Sequence, residues 1–273
     1  MAVMGILACK MLQDEIVYLI QKDSDITDVA VIENGEHTDF IQKLDTLGIS
    51  YRLVPSVADL PDLDRTSPVS NDSLALVVWI LDLGLHEMPK KLRKSVYENI
   101  PIFTPKVDLI FLFYGLCGNV LADVEKDFKS DVCPVVILRD KDGIIIDDCI
   151  GGVLGGREEY AKVLKSFNGV GTFILTPMYA SYTAEGYFGF GQGAAGFTDQ
   201  QMYELNKYMF EASGYKQVAN LDTGLYYTPN VKKNVQAFAD KYQLKVIQLS
   251  GGHMGLFEDC YQKAKKILTF ETP

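Results

Sequence analysis

Positive charge, long apolar runs and cysteine are all scarce in this chain, and each shortage removes a class of function. Twenty-six Lys and Arg stand against 36 Asp and Glu, a formal charge of -10. A surface of that sign repels phosphodiester backbones, so no nucleic-acid partner is expected. The longest apolar stretch, Leu74 to Leu85, contains Asp82 and falls well short of the roughly 20 residues a spanning helix needs. No membrane partner is expected either. The amino-terminal MAVMGILAC has no basic residues ahead of its short apolar run and reads as a first strand rather than a leader. The cysteines, Cys9, Cys117, Cys133, Cys149 and Cys260, are odd in number and scattered. That pattern fits a reducing, cytoplasmic setting better than a disulfide framework. The GxSxG elbow and the HExxH helix are absent, which removes the usual hydrolase and metalloprotease signatures.

What is present is apolar residues, 48% of 273, enough for a large core. They fall in short strand-like runs that alternate with helical periodicity. Gly5 to Cys9, Asp28 to Ile32, Ser50 to Val54, Ser73 to Leu81, Val107 to Phe113, Val132 to Leu138 and Ile144 to Ile146 read as strands. Between them, helices are expected from Leu12, over Thr38 to Leu47, from Pro89 to about Asn99 and from Arg157 to Phe167. The rhythm continues with strands Gly171 to Thr176, Tyr215 to Asp222 and Leu244 to Leu249, and with helices Thr198 to Ser213, Pro229 to Tyr242 and Met254 to Leu268. Such alternation predicts an α/β protein of two Rossmann-like lobes, with mainly parallel sheets flanked by helices. The lobes divide near residue 170, with 1–170 carrying the cysteine site and 171–273 forming the second lobe. One segment, Tyr179 to Phe197, interleaves aromatic rings with glycines. It reads either as a mobile cover over a pocket or as an inter-lobe loop whose rings fill a seam.

Cys9, Cys117 and Cys149 each follow a predicted strand, and in a parallel sheet strand ends share one edge. Ligands of open α/β sheets bind at that edge, where helix amino termini should favour thiolate. His86, between the strand ending at Leu81 and the helix starting at Pro89, belongs to the same edge and completes a set of three thiols and one imidazole. Such a set suits zinc; three thiolates with an open position suit catalytic zinc or an iron–sulfur cluster. The bland alternative is that the thiols are small apolar fillers at strand ends. Tyr114, Gly118 and Asn119 surround Cys117 and are expected to line the bound group. Asp147 and Asp148, beside Cys149, would orient a ligand or cap the following helix. Leu249-Ser250-Gly251-Gly252-His253-Met254-Gly255 joins a strand to a helix. It matches neither GxGxxG nor a Walker loop, but the amides of Gly251 and Gly252 suit an anion, and His253 suits an acid–base role. Cys133 and Cys260 are assigned to packing, His37 to a turn, Arg139 and Arg157 to surface ion pairs, and Glu15 to solvent.

Ile6-Leu7-Ala8-Cys9 with Glu15, Leu85-His86 with Pro89 and Leu92, Tyr114-Gly115-Leu116-Cys117-Gly118-Asn119, and Asp148-Cys149-Ile150 with Gly155 and Tyr160 together resemble the domain-of-unknown-function 1638 family of methanogens and other anaerobes. The resemblance covers most of the first 180 residues and falls on Cys9, His86, Cys117 and Cys149. It departs ahead of Asp-Cys, where the family usually has a Pro-Arg pair shortly before; here Leu138-Arg139 is separated from Asp148 by the eight residues Asp140 to Asp147. Genes of that family are often associated with corrinoid-dependent methyltransferase systems. The resemblance therefore implies a metal protein near methyl transfer, enzyme or accessory, partnered by a small molecule or a corrinoid protein and compatible with a homo-oligomer. A corrinoid or small anion held by a non-catalytic module, and an iron–sulfur protein on the same cysteines, are the alternatives.

Overall fold

The computed structural model describes residues 1–65, 73–83, 85, 88–184, 197–252 and 254–269. In chain order its main elements are β1 (Ala2–Cys9), α1 (Gln13–Lys22), β2 (Ile26–Ile32), α2 (Thr38–Leu47), β3 (Arg52–Val54), β4 (Leu74–Leu81), α3 (Pro89–Phe103) and β5 (Leu109–Phe113). Next come α4 (Val124–Asp127), β6 (Val135–Ile137), α5 (Cys149–Val153) and α6 (Arg157–Ser166). The second half adds β7 (Gly171–Leu175), α7 (Pro177–Ala184), α8 (Asp199–Ala212), β8 (Tyr215–Asp222), α9 (Val231–Tyr242), β9 (Lys245–Ser250) and α10 (Met254–Thr269).

Two parallel sheets result, in the orders β3-β2-β4-β1-β5-β6 and β7-β8-β9, as the α/β pattern requires. The central strands of the first sheet are near-continuous apolar runs because both faces are covered: β5 is buried throughout, and β1 and β4 are almost so. The edge strand β3 instead exposes Arg52 and Leu53. From β1 the chain leaves toward β2, and from β5 it leaves toward β6, on opposite sides. The carboxyl ends of β1 and β5 therefore flank a topological switch point, the usual crevice for a ligand. Cys9 is the last residue of β1, and Tyr114 follows β5 directly.

The second sheet has its own small core of Leu175, Phe210, Val218, Val235, Phe238 and Tyr242. The last helix does not stay with it. α10 packs against α1, α5, β1 and β5, stacking Phe257 on Phe113 with ring centroids 6.1 Å apart. The Tyr261 hydroxyl donates to Asp23 (2.7 Å), and Lys265 pairs with Asp23 (2.6 Å) and Asp25 (2.9 Å). Periodicity marks the helix but carries no sign of which sheet it covers. A buried Asp14–Lys43 pair stands at the seam between the sheets, where the Thr228 hydroxyl donates to Asp14 (3.0 Å). The aromatic segment begins as α7, and Tyr179 lies against Phe173 with centroids 5.7 Å apart, so its first turns are packed. Tyr187, Phe188 and Phe190, on which the cover reading rests, lie outside the described residues. Among the described residues no helix is long and apolar enough to cross a membrane.

Asp23 gives a test of how α10 is held. Burial opposes its charge, but the donors Lys265 and Tyr261 outweigh that and hold its carboxyl below the ordinary value. Its contribution to stability is full above the unfolded carboxylate pKa and disappears as pH falls through the lowered folded value. Asp23→Asn is expected to cost about 1–2 kcal/mol at pH 7, with the difference closing in strong acid. Urea denaturation at both pH values measures it, and equal stabilities at pH 7 would remove the clamp.

Candidate functional site

The turn after β5 and the segment before α5 are zipped together through the backbone. The Leu116 amide donates to the Ile146 carbonyl (2.8 Å) and the Cys117 amide to the Asp147 carbonyl (2.9 Å). Gly115 permits this approach, since a Cβ there would lie 2.5 Å from the Ile146 oxygen. Cys117 itself adopts a left-handed backbone with φ 46°, uncommon for a residue with a side chain and characteristic of functional turns. The eight residues separating Arg139 from Asp148 do not disturb the site. They close as a small hairpin, with an antiparallel bridge between Arg139 and Ile145 and an Ile146 amide that donates to the Leu138 carbonyl (3.2 Å). The predicted strand at Ile144 to Ile146 is thus only this bridge. The chain returns to the end of β6, Asp148 caps α5 by accepting from the Gly151 amide (2.7 Å), and Cys149 opens the helix.

Cys9, Cys117 and Cys149 consequently line one cavity of about 170 Å³, together with Tyr114, Gly118, Asp82 and Asp148 and an apolar wall that includes Leu12, Leu85 and Leu92. The topological reading of three strand ends is realised as shared lining. The expectation that these thiols ionise easily is corrected. Burial pushes Cys9 up to about 12, reinforced by the charges of Cys117, Asp148 and Glu15. Cys117 is pushed up to about 11, again by burial first, with Asp148 adding to it. Cys149 is raised well above its ordinary value by burial and then by Cys9, Asp148, Cys117 and Glu15. Loss of hydration outweighs the helix dipole, and each thiol resists the ionisation of the others.

Glu15 is the group that reading by sequence assigned wrongly. It is 2% exposed rather than solvated, and its Oε2 has no hydrogen-bond partner among the described residues. Burial, then the neighbouring charge of Asp14, raises its pKa from 4.5 to about 8, against the pull of its own backbone amide and Lys43. The run Gln13-Asp14-Glu15 at the start of α1 was the available signal, because three polar residues stand where the helix meets the strand ends.

The remaining candidates divide. Tyr114, Gly118 and Asp148 line the cavity; Asn119, in a left-handed conformation, is exposed and does not. The Gly251 amide donates to the Asp222 carbonyl (2.8 Å) and the Gly252 amide to the Val153 carbonyl (3.2 Å), so these amides are engaged by protein rather than free for an anion. Gly252 also has φ 88° and would bring a Cβ within 2.2 Å of the Thr223 oxygen. The pair therefore serves the close fit between the second sheet and α5. His86 and His253 lie outside the described residues. Asp147 pairs with Arg157 (2.9 Å) and Glu125 with Arg139. Cys133 and Cys260 are buried, the latter donating to the Arg139 carbonyl (3.1 Å), and His37 accepts from the Asn34 amide (3.2 Å) in a turn.

Among the described residues, no three or more His, Cys, Asp or Glu side chains are gathered into a group able to hold a metal ion. The chemistry of the lining still suits a cation: among the described residues it has three thiols, two carboxyl groups and neither Lys nor Arg. The family model for a protein of unknown function, DUF1638, matches residues 80–261. The chain belongs to this family. The match takes in Cys117, Cys149 and the strands of the second sheet, further toward the carboxyl end than the motifs alone implied, and starts beyond Cys9. No curated protein and no solved structure matches the chain.

Glu15 yields a prediction with a definite sign. Its folded pKa lies above the unfolded value, so the folded state binds an extra proton between them and stability falls as pH rises through that window toward 8. Glu15→Gln keeps the shape without the charge. The variant is expected to gain a few kcal/mol over the parent at pH 8 and almost nothing at pH 4. Thermal unfolding followed across that range checks it; a variant less stable than the parent at pH 8 would contradict it.

Proposed function

We propose that this chain is a thiolate-rich metal-binding protein, with zinc as its metal, that serves corrinoid-linked methyl transfer as a methyltransferase or an accessory. The observation that carries the metal reading is the lining of the cavity: among the described residues, three thiols and two carboxyl groups share about 170 Å³ without a Lys or Arg. When ionised, such groups repel one another and are relieved by a cation. Cys9, Cys117, Cys149 and His86 are the residues that would hold it. Zinc held by thiolates stabilises a further sulfur ligand as thiolate at neutral pH, which is the nucleophile a methyl group needs.

The protein's own residues would do the rest. Leu12, Leu85 and Leu92 exclude water from one side of the cavity. Asp148 holds the start of α5, and with it Cys149, in place. A cavity of this size admits an ion and a small thiol but is far below the roughly 300–1,000 Å³ of sites for larger cofactors. The corrinoid is therefore assigned to a partner protein rather than to this pocket. The methyl-transfer role rests on the family resemblance and on zinc–thiolate chemistry.

The protein purified without oxygen is expected to be colourless and to contain about one zinc per chain by elemental analysis, with Cys117→Ser losing most of it. Full retention of metal by that variant overturns the ligand assignment; a brown preparation with visible absorbance replaces zinc by an iron–sulfur cluster. Methyl transfer from methylcobalamin to an added thiol, present in the parent and lost in Cys117→Ser, would make the protein an enzyme. Because binding must displace thiol protons held by raised pKa values, zinc affinity is expected to climb about tenfold per pH unit for each proton released between pH 6 and 8. An affinity independent of pH in competition titrations would mean that the thiols are not the ligands.

A further inference from the structure

A second cavity, of about 450 Å³, opens at the carboxyl end of β8, beside the amino terminus of the 12-residue helix α9. Open parallel sheets take ligands at this edge, and the first amides of a helix, lacking partners within it, favour anions. Position alone does not make a site, but the lining adds an independent observation. Asn220 lines the cavity and is 3% exposed. Its amide nitrogen donates to Gln248 (2.9 Å), while its Oδ1 is buried with no hydrogen-bond partner among the described residues. Leaving such an acceptor unmatched costs about 1–3 kcal/mol, which a donor on a ligand would recover. Alternation along β8 puts Asn220 on the same face as Val218, which belongs to one core with Phe238 of α9. The orphan oxygen therefore lies on the side of the sheet that α9 covers.

The rest of the lining is arranged by charge. Lys232 and Lys233 occupy the first turn of α9, and the Asn230 side chain before them makes no capping bond. Asp222, two residues beyond Asn220 and exposed, adds carboxylate oxygens on the strand side. Tyr226 is 83% exposed and offers a ring face at the rim. The lining thus combines donors and positive charge with oxygen acceptors and an aromatic surface.

We infer that this cavity binds a phosphate ester that carries hydroxyl groups, the class shared by sugar phosphates and nucleotides. The phosphate sits at the start of α9 with Lys232 and Lys233, the hydroxyls donate to Asn220 and Asp222, and a base, where there is one, lies on Tyr226. Isothermal titration of the full chain with ribose 5-phosphate, adenosine monophosphate and inorganic phosphate tests this. Both esters are expected to bind with dissociation constants below about 1 mM, and inorganic phosphate at least about tenfold more weakly. Tighter binding of the nucleotide than of the sugar phosphate identifies a nucleotide site, and equal binding a sugar phosphate site.

Asn220→Leu separates ligand recognition from architecture. Because it removes an unsatisfied buried acceptor and leaves an exposed Gln248 to water, the variant should melt at or above the parent's temperature yet bind the esters about tenfold more weakly. The double variant Lys232→Glu with Lys233→Glu should abolish binding. No saturable heat from either ester with the parent protein, or binding indifferent to both variants, overturns the proposal.

Discussion

The candidate site depends on the two backbone hydrogen bonds that join Leu116 and Cys117 to Ile146 and Asp147. One strand in the sheet's interior ends at Phe113; another, at the edge, ends at Ile137; the thiols that follow them lie 32 residues apart in sequence. Nothing in strand order alone brings loops of that length together. The amide-to-carbonyl contacts do so, and they require the absence of a side chain at Gly115. They also carry Cys117 into its left-handed backbone, a strain that the paired amides hold in place. Without them Cys149 would still open α5, but on a segment no longer tied to the end of β5.

The electrostatic character of the pocket follows from the same convergence. A single thiol at a helix start in water would ionise more readily than usual. Three thiols brought together under an apolar wall do the reverse, because each charge would be created in a poorly hydrated space beside the others. The thiols therefore stay protonated at neutral pH in the protein alone, and any reactivity waits on a positive partner that offsets the loss of hydration. Glu15 adds to this, since its raised pKa leaves much of it neutral near pH 7 and its ionisation would push the thiols up further.

Much of this was legible in the sequence because strands and helices differ in period. Thr38 to Leu47 and Tyr215 to Asp222 were delimited by pattern alone, and most other elements to within a few residues. The cysteines at strand ends were legible for the same reason: in parallel sheets, chain order fixes which edge a loop occupies. Three features were not. α5 carries two consecutive glycines, poor helix formers, and is held by the Asp148 cap and by packing on Phe257. The docking of α10 on the first sheet is a tertiary choice between two sheets that its apolar stripe would satisfy equally. The burial of Glu15 is a tertiary effect, of which the polar run Gln13-Asp14-Glu15 is only an indirect local sign.

The two cavities are not isolated from each other. Thr228 lines the larger one and donates to Asp14; Asp14 raises Glu15; Glu15 is felt by Cys9 and Cys149 in the smaller one. Contiguity of this kind is only a route, and it transmits nothing unless one member has two arrangements. The partly satisfied members supply the candidates. Gln13 and Glu15 each leave a buried oxygen without a partner among the described residues, so rearranging them breaks no hydrogen bond at that oxygen. A ligand that drew the Thr228 hydroxyl away from Asp14 would leave that carboxylate leaning on Lys43 alone. The charge next to Glu15 would then be less screened, and its proton held more firmly. The seam between the sheets is thus where occupancy of one cavity has a physical means of altering proton affinity in the other.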